Sequence, residues 1–117
     1  MRFSTSLKKN RDFRRLYAKG KSAASGLAVL YCRRNGGSGN RVGVTVSAKL
    51  GGAVKRNRIR RRFKEIYRLN EDRLRGGFDI VIVARGRSAS AAFRGLEADF
   101  LRLCEKLSLQ KPPETKP

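Results

Sequence analysis

Lys55-Arg56-Asn57-Arg58-Ile59-Arg60-Arg61-Arg62-Phe63-Lys64-Glu65-Ile66-Tyr67-Arg68 is the stretch on which the reading of this chain turns. Eight of its fourteen residues are cationic, and only Glu65 opposes them. Ile59, Phe63, Ile66 and Tyr67 nevertheless recur at i, i+4, i+7 and i+8, one stripe of an α-helix. At about 100° per residue, Arg60, Lys64, Asn57, Arg68 and Arg61 fill roughly a 100° sector away from Ile59 and Ile66. The spacing predicts a helix packed by one face, with a comb of basic groups on the other. Like charges at i and i+4, Arg60 with Lys64 and Lys64 with Arg68, destabilise an isolated helix, which argues against a merely solvated face. Arg also outnumbers Lys here, and its planar fork matches phosphate oxygens. The comb suits a polyanion. Asn57, a short amide inside it, suits a backbone or base contact.

The rest of the composition agrees. A chain of 117 residues fits one domain with a core of its own. Its formal net charge of +20 opposes compaction by self-repulsion, and a nucleic acid would relieve that better than an anionic membrane. There is no histidine, which removes the Ser-His and Cys-His catalytic arrangements. Cys32 and Cys104 stand far apart, outside zinc-finger spacings, and read as buried thiols. The nine carboxylates form no two-metal cluster, and Glu71-Asp72 reads as a solvated helix end. No catalytic side chain is expected. No apolar run approaches the length of a membrane span and no signal-peptide core follows Met1, so a soluble, cytoplasmic protein is expected.

Outward from the comb, the pattern predicts α-β-β-α-β-α in one α+β domain over residues 1–109, with a disordered polar tail over 110–117. Asn10 is a candidate N-cap for a helix over Arg11–Lys19, with Gly20 as its C′ residue. Leu27–Arg34 reads as a strand apolar on both faces. After the turn-rich 35–40 segment, Val42, Val44 and Val46 alternate with Gly43, Thr45 and Ser47, a strand antiparallel to the previous one. The comb helix is expected over Ala53–Leu69, continuing irregularly toward Leu74. Phe78–Ala84 reads as an interior strand and Ala89–Leu107 as a last helix.

Phe13, Tyr17 and Tyr31 admit two readings, core packing or platforms on which unpaired bases stack among Arg11, Arg14 and Arg15. Gly51-Gly52 admits two as well, a tight loop or a close approach of phosphate to a helix N-terminus.

Several segments, taken together, are specific. Lys9-Asn10-Arg11-Asp12-Phe13 through Lys19-Gly20-Lys21-Ser22, Val29-Leu30-Tyr31, Arg41 through Lys49, Gly52-Ala53-Val54-Lys55-Arg56-Asn57-Arg58-Ile59-Arg60-Arg61 and Phe78-Asp79-Ile80-Val81 resemble the protein component of bacterial ribonuclease P. The likeness runs from about Phe3 to Leu107, and the Arg-Asn-Arg block is its most specific part. It implies an α/β sandwich with a left-handed βαβ crossover. It also implies a protein subunit of the ribonucleoprotein that cuts the 5′ leader from precursor tRNA, with chemistry done by the RNA and its Mg²⁺. Arg56, Asn57, Arg58, Arg60, Arg61, Lys64 and Arg68 would contact the catalytic RNA. Phe13, Tyr17, Val29 and Tyr31 would line the cleft for the single-stranded leader. The implied partners are the catalytic RNA and precursor tRNA, with no membrane and no obligate protein partner. Tyr17 stands where phenylalanine is frequent and Arg60 where lysine is. Two rival classes are a structural RNA-binding protein of ribosomal type, which leaves the aromatics unexplained, and a stand-alone metal-dependent nuclease, disfavoured by the scattered carboxylates.

Overall fold

The computed structural model describes residues 4–111. Three helices flank one five-stranded sheet. In chain order the elements are β1 (Ser4–Ser6), α1 (Asn10–Lys19), β2 (Lys21–Ala24), β3 (Ala28–Arg34), β4 (Asn40–Thr45), α2 (Ala53–Asn70), β5 (Phe78–Ala84) and α3 (Phe93–Lys106). Short 3-10 turns fill Ala48–Leu50, Glu71–Arg73 and Gly86–Ala89. The strand order is β1-β4-β5-β3-β2. β5 pairs parallel with β4 and antiparallel with β3, so its apolar run is buried between two neighbours.

β3 and β4 run in opposite directions, as expected, but they are not partners: β5 lies between them. The connector between them crosses the start of β5. The amide of Asn35 donates to the Gly77 carbonyl at 2.9 Å, and the Asn35 side chain donates to Asp79 on β5. A Cβ on Gly76 would lie 2.2 Å from the Ser38 carbonyl oxygen, and one on Gly77, which has φ +90°, 2.8 Å from that of Gly37. The two glycine-rich turns stack on each other, which side chains would forbid.

Because strand side chains alternate, the sheet has two distinct faces. Ala28, Leu30, Cys32, Val42, Ile80 and Ile82 face the main core. There they meet Ile59, Phe63, Ile66 and Tyr67 of α2 and Leu96, Phe100, Leu103 and Cys104 of α3. The predicted stripe of α2 is thus its packed face. The Tyr67 ring meets Phe100 edge-on with centroids 6.5 Å apart. The Tyr67 hydroxyl lies 2.6 Å from the Ser4 hydroxyl and accepts from the Asn40 side chain at 3.0 Å. The opposite face carries Tyr31, Val81 and Val83 under Leu7, Phe13 and Leu16, so α1 covers that side alone.

Several boundaries differ from expectation. α1 begins at Asn10 rather than being capped by it: Lys9 is the N-cap, and its carbonyl accepts from the amides of Asp12 and Phe13. Gly20 is extended, with φ −76°, and is small for a different reason. A Cβ there would sit 2.6 Å from the Leu16 carbonyl oxygen and 3.0 Å from that of Cys32. The last helix starts at Phe93, not Ala89. Arg62 donates to the carbonyls of Ser88 and Ala91, and the Ser88 hydroxyl donates to the Arg85 carbonyl, which holds this stretch in a 3-10 turn. Glu71 is buried rather than solvated, while Asp72 is exposed. Gln110 pairs with Leu74 and donates to the Leu101 carbonyl, so chain order extends past the expected start of the tail. Residues 112–117 of that tail lie outside the described residues.

Candidate nucleic-acid interface

Two surfaces carry the predicted residues, one on each side of the sheet. On α2, Asn57, Arg58, Arg61, Lys64 and Arg68 are exposed, and Arg56 and Arg60 half-buried. Their stems are steadied by the buried stripe, so the charged ends start from a rigid backbone. Arg60 donates to the Asn57 side-chain oxygen at 2.7 Å, which turns one guanidinium along the helix. Asn57 therefore orients a comb member. Arg56 projects between the directions of Phe63 and Tyr67, which explains its partial burial. Its Nε is buried without a hydrogen-bond partner.

Two cations of the stretch are engaged within the fold. Arg62, on the flank facing α3, clasps the Ser88 and Ala91 carbonyls. Arg68 forms a forked pair with Glu65, through Nε at 3.1 Å and through Nη2. Hydrogen bonding to Arg68 holds the Glu65 carboxyl below its usual range. This pair is on the surface, where solvent screening leaves it weak. Among the described residues, Arg58, Arg61 and Lys64 make no ion pair.

Across the sheet, Tyr17 of α1 meets Tyr31 of β3, and Phe13 and Tyr31 pack on one cluster, while Val29 is neither in that cluster nor among the residues that line the cleft. Val29 and Tyr31 are two residues apart and share a face, opposite Val83 and Val81 of β5. The Tyr17 and Tyr31 rings meet edge-on, with centroids 5.0 Å apart and planes at 75°. The Tyr17 hydroxyl lies 3.3 Å from the Thr45 hydroxyl, and the residue is 41% exposed. A cleft of about 360 Å³ opens here between Asn10, Phe13, Arg14, Tyr17 and Thr45. Phe13 and Tyr31 pack on Val81 by one side, as the core reading expects, while Tyr17 faces outward. Gly43 makes room for this, since a Cβ there would lie 2.7 Å from Phe13 Cζ.

A network not singled out from the sequence sets the height of α1. Arg41 on β4 donates to both carboxylate oxygens of Asp79, at 2.8 and 2.6 Å, and to Asp12 at 3.3 Å. The hydrogen bonds to Asp79 are the main reason that the Arg41 guanidinium is held charged beyond its ordinary range. Asp12 and Asp79 are nearly buried, and Asp12 precedes Phe13, so the bridge seats the ring that follows it. Only the segments containing these residues stood out in the sequence; a three-way contact between distant positions leaves no local pattern.

The loop before α2 has the conformation of a tight turn. Gly51 takes φ 135°, which only glycine adopts freely, and Gly52 is an ordinary extended N-cap with no side-chain capping bond. Of the carboxylates, Asp12 and Asp79 are engaged by Arg41, Glu65 by Arg68 and Asp99 by Ser25 and Arg102. Among the described residues no three His, Cys, Asp or Glu side chains gather into a group that could hold a metal ion. The described residues include no helix long and apolar enough to cross a membrane. Burial raises the Cys32 thiol above its ordinary range and pushes that of Cys104 up to about 12.

Sheet, cationic helix and half-open aromatic cleft together define a small, strongly basic α+β protein. A family model described as Ribonuclease P matches residues 1–108, and the chain belongs to that family. It is 44% identical over 103 residues to the Ribonuclease P protein component of Alkaliphilus oremlandii, covering 88% of this chain and 90% of that one. The corresponding protein of Alkaliphilus metalliredigens is 41% identical over 109 residues, covering 93% and 98%. Among solved structures, the Staphylococcus aureus RNase P protein superposes with a TM-score of 0.82 at 30% identity, covering 91% of this chain and 97% of that chain. The Thermotoga maritima RNase P protein gives 0.80 at 31%, covering 86% and 96%.

Proposed function

We propose that this chain is the protein subunit of a ribonucleoprotein that removes the 5′ leader from precursor tRNA. In this reading α2 grips the catalytic RNA through Arg56, Asn57, Arg58, Arg60, Arg61, Lys64 and Arg68. The single-stranded leader lies across Phe13, Tyr17, Val29 and Tyr31. The observation that carries the proposal is the joint between the two surfaces. β4 ends at Thr45, against Tyr17, and the chain reaches the N-terminus of α2 at Ala53 through one 3-10 turn. A strand leaving the cleft there meets the start of the comb.

The chemistry is assigned to the RNA, whose Mg²⁺ activates the attacking water. The protein's contribution is binding. Its cations lower repulsion between leader and RNA backbones, which reduces the Mg²⁺ needed, and its aromatic rings hold unpaired bases at about 1–3 kcal/mol each where they stack. The test is reconstitution of purified protein with a bacterial ribonuclease P RNA and precursor tRNA at low Mg²⁺. Protein-dependent cleavage is expected. Cleavage unchanged by the protein would refute the proposal, and cleavage without RNA would make the chain a nuclease in its own right.

A further inference from the structure

The comb is not the only concentration of charge. At the opposite end of β5 from the α2 N-terminus, a cavity of about 290 Å³ is floored by Cys32, Phe78 and Leu107. Around it stand Lys19 at the end of α1, Lys21 at the start of β2, Arg33 and Arg34 at the end of β3, and Arg75 before β5. The topology gathers them: β2 is antiparallel to β3 with Lys21 opposite Cys32, and β3 is antiparallel to β5 with Arg34 opposite Phe78. Five cations therefore converge from four segments, and no carboxylate lines the cavity. Among the described residues none of the five makes an ion pair. Arg34 instead stacks on Phe78, its guanidinium carbon 5.6 Å from the ring centroid. This contact holds the fork in place with its donors unused.

A structural role for these charges as caps of α3 is weak. Cations do favour a helix C-terminus. Here, however, the carbonyls of Leu103, Cys104 and Glu105 already accept from the amides of Leu107, Leu109 and Ser108. Like charges gathered without counterions raise the energy of the free protein, and a bound anion lowers it.

We propose that this end of the sheet is a second phosphate-binding surface, which holds the phosphodiester backbone of an RNA strand while the comb holds another. The walls supply charge and forks, and the apolar floor gives no base-specific hydrogen bonds, so recognition is of backbone rather than sequence. The two surfaces lie on different sides of the molecule: the comb belongs to the helix packed over β4 and β5, this cradle to the β3–β2 edge beside the end of α3. The protein would thus bridge two RNA segments. The proposal rests on the RNA-binding reading of the chain, but not on the comb.

The experiment compares a cradle variant (Lys21→Gln, Arg34→Gln, Arg75→Gln), a comb variant (Arg60→Ala, Arg61→Ala, Lys64→Ala) and their combination. Dissociation constants for a bacterial ribonuclease P RNA and for a short single-stranded RNA are measured against KCl concentration, with circular dichroism checking the fold. Each phosphate contact contributes a slope of about 0.7–0.9, so losing three flattens the plot by about 2 units and weakens binding on the order of a hundredfold at 0.1 M salt. The cradle variant is expected to show this loss for the ribonuclease P RNA, and the combined variant the sum of both, since distant sites add. Melting with added inorganic phosphate separates a free-anion site. If phosphate stabilisation disappears in the cradle variant while its RNA slope stays at the parent value, the cradle binds small anions and the proposal fails. An unchanged slope with an effective comb variant likewise sinks the cradle alone. If neither variant changes the slope, the RNA-binding reading itself has failed.

Discussion

Gly43→Ala tests the aromatic cleft at the point where it is tightest. Gly43 lies on β4, opposite Val81, and its φ is not in the left-handed region, so alanine meets no backbone obstacle there. What it meets is Phe13: the new Cβ would lie 2.7 Å from Cζ and 2.8 Å from Cε1, with Leu7 Cβ at 3.4 Å. Carbon atoms pack at about 3.5–4.0 Å, so the ring must retreat by roughly 1 Å. It is backed by the buried Leu16 and Val81 and tied through Asp12 to Arg41, so it has little room to move. Overpacking of this kind costs about 1–3 kcal/mol. For a domain of this size that lowers the melting temperature by about 4–15 °C. Precursor tRNA binding should weaken with it, and mature tRNA binding less. The decisive measurement is a double-mutant cycle with Phe13→Ala, read by thermal melting. Without the ring there is no clash, so Gly43→Ala should be close to neutral in that background, giving a coupling of about 1–3 kcal/mol. Equal destabilisation in both backgrounds would refute the reasoning and place the strain in the backbone of β4.

Replacing Arg60, Arg61 and Lys64 with alanine should leave the circular dichroism spectrum intact while flattening the salt dependence of catalytic-RNA binding by about 2 units; unfolding would instead make that face structural. Phe13→Ala or Tyr31→Ala should weaken precursor tRNA by about 1–3 kcal/mol per lost stack, measured by filter binding, and equal losses for precursor and mature tRNA would argue against a leader site. Asp79→Ala should destabilise by about 2 kcal/mol in denaturant titration, because it removes a forked partner of Arg41 and an acceptor of Asn35. Burial raises the Cys104 thiol from 9.0 to about 12 and raises Tyr67 and Cys32 too, so the fold favours their protonated forms. Stability carried by Cys104 is therefore complete below about pH 9 and is lost as pH rises toward 12. Cys104→Ala should fall less steeply than the parent across that window; parallel curves would contradict the assignment.

What could be read from the chain depended on whether the cause was local. α2 was legible because its stripe is dictated by the core beneath it, and its observed bounds, Ala53–Asn70, differ from the predicted ones by one residue. β5 was legible because a strand buried on both faces must be apolar throughout. β1 and β2 were not. Ser4–Ser6 and Lys21–Ala24 are short, polar edge strands that exist through pairing with β4 and β3, and an edge facing solvent needs no apolar alternation. Asn35-Gly36 carries a hairpin signal, yet the connector crosses β5, a fact held in the distant Gly76-Gly77 pair. The candidate site divides in the same way. Periodicity finds which side chains point outward from α2, but the pairing of Arg68 with Glu65 and the hold of Arg62 on the Ser88 and Ala91 carbonyls depend on neighbours that periodicity ignores.

The sheet also constrains how such a site can work. Its α1 face and its α2 face are separated by a full layer of backbone, so one RNA strand cannot reach both except around an end or an edge. The C-terminal end of β4 is where the two come closest in sequence: Thr45 touches Tyr17, and Ala53 opens the comb eight residues later. That stretch contains the 3-10 turn over Ala48–Leu50 and Gly51 at φ 135°, a conformation that strains any other residue. In the proposed function, the path between leader and catalytic RNA would follow this turn. Lengthening it by inserting one glycine after Gly51 preserves every charge and every ring. If the joint matters, the insertion should lower protein-dependent cleavage at low Mg²⁺ while separate affinities for the RNA and for a leader oligonucleotide stay near the parent values. If cleavage is unaffected, the two surfaces act independently and their adjacency has no mechanistic weight.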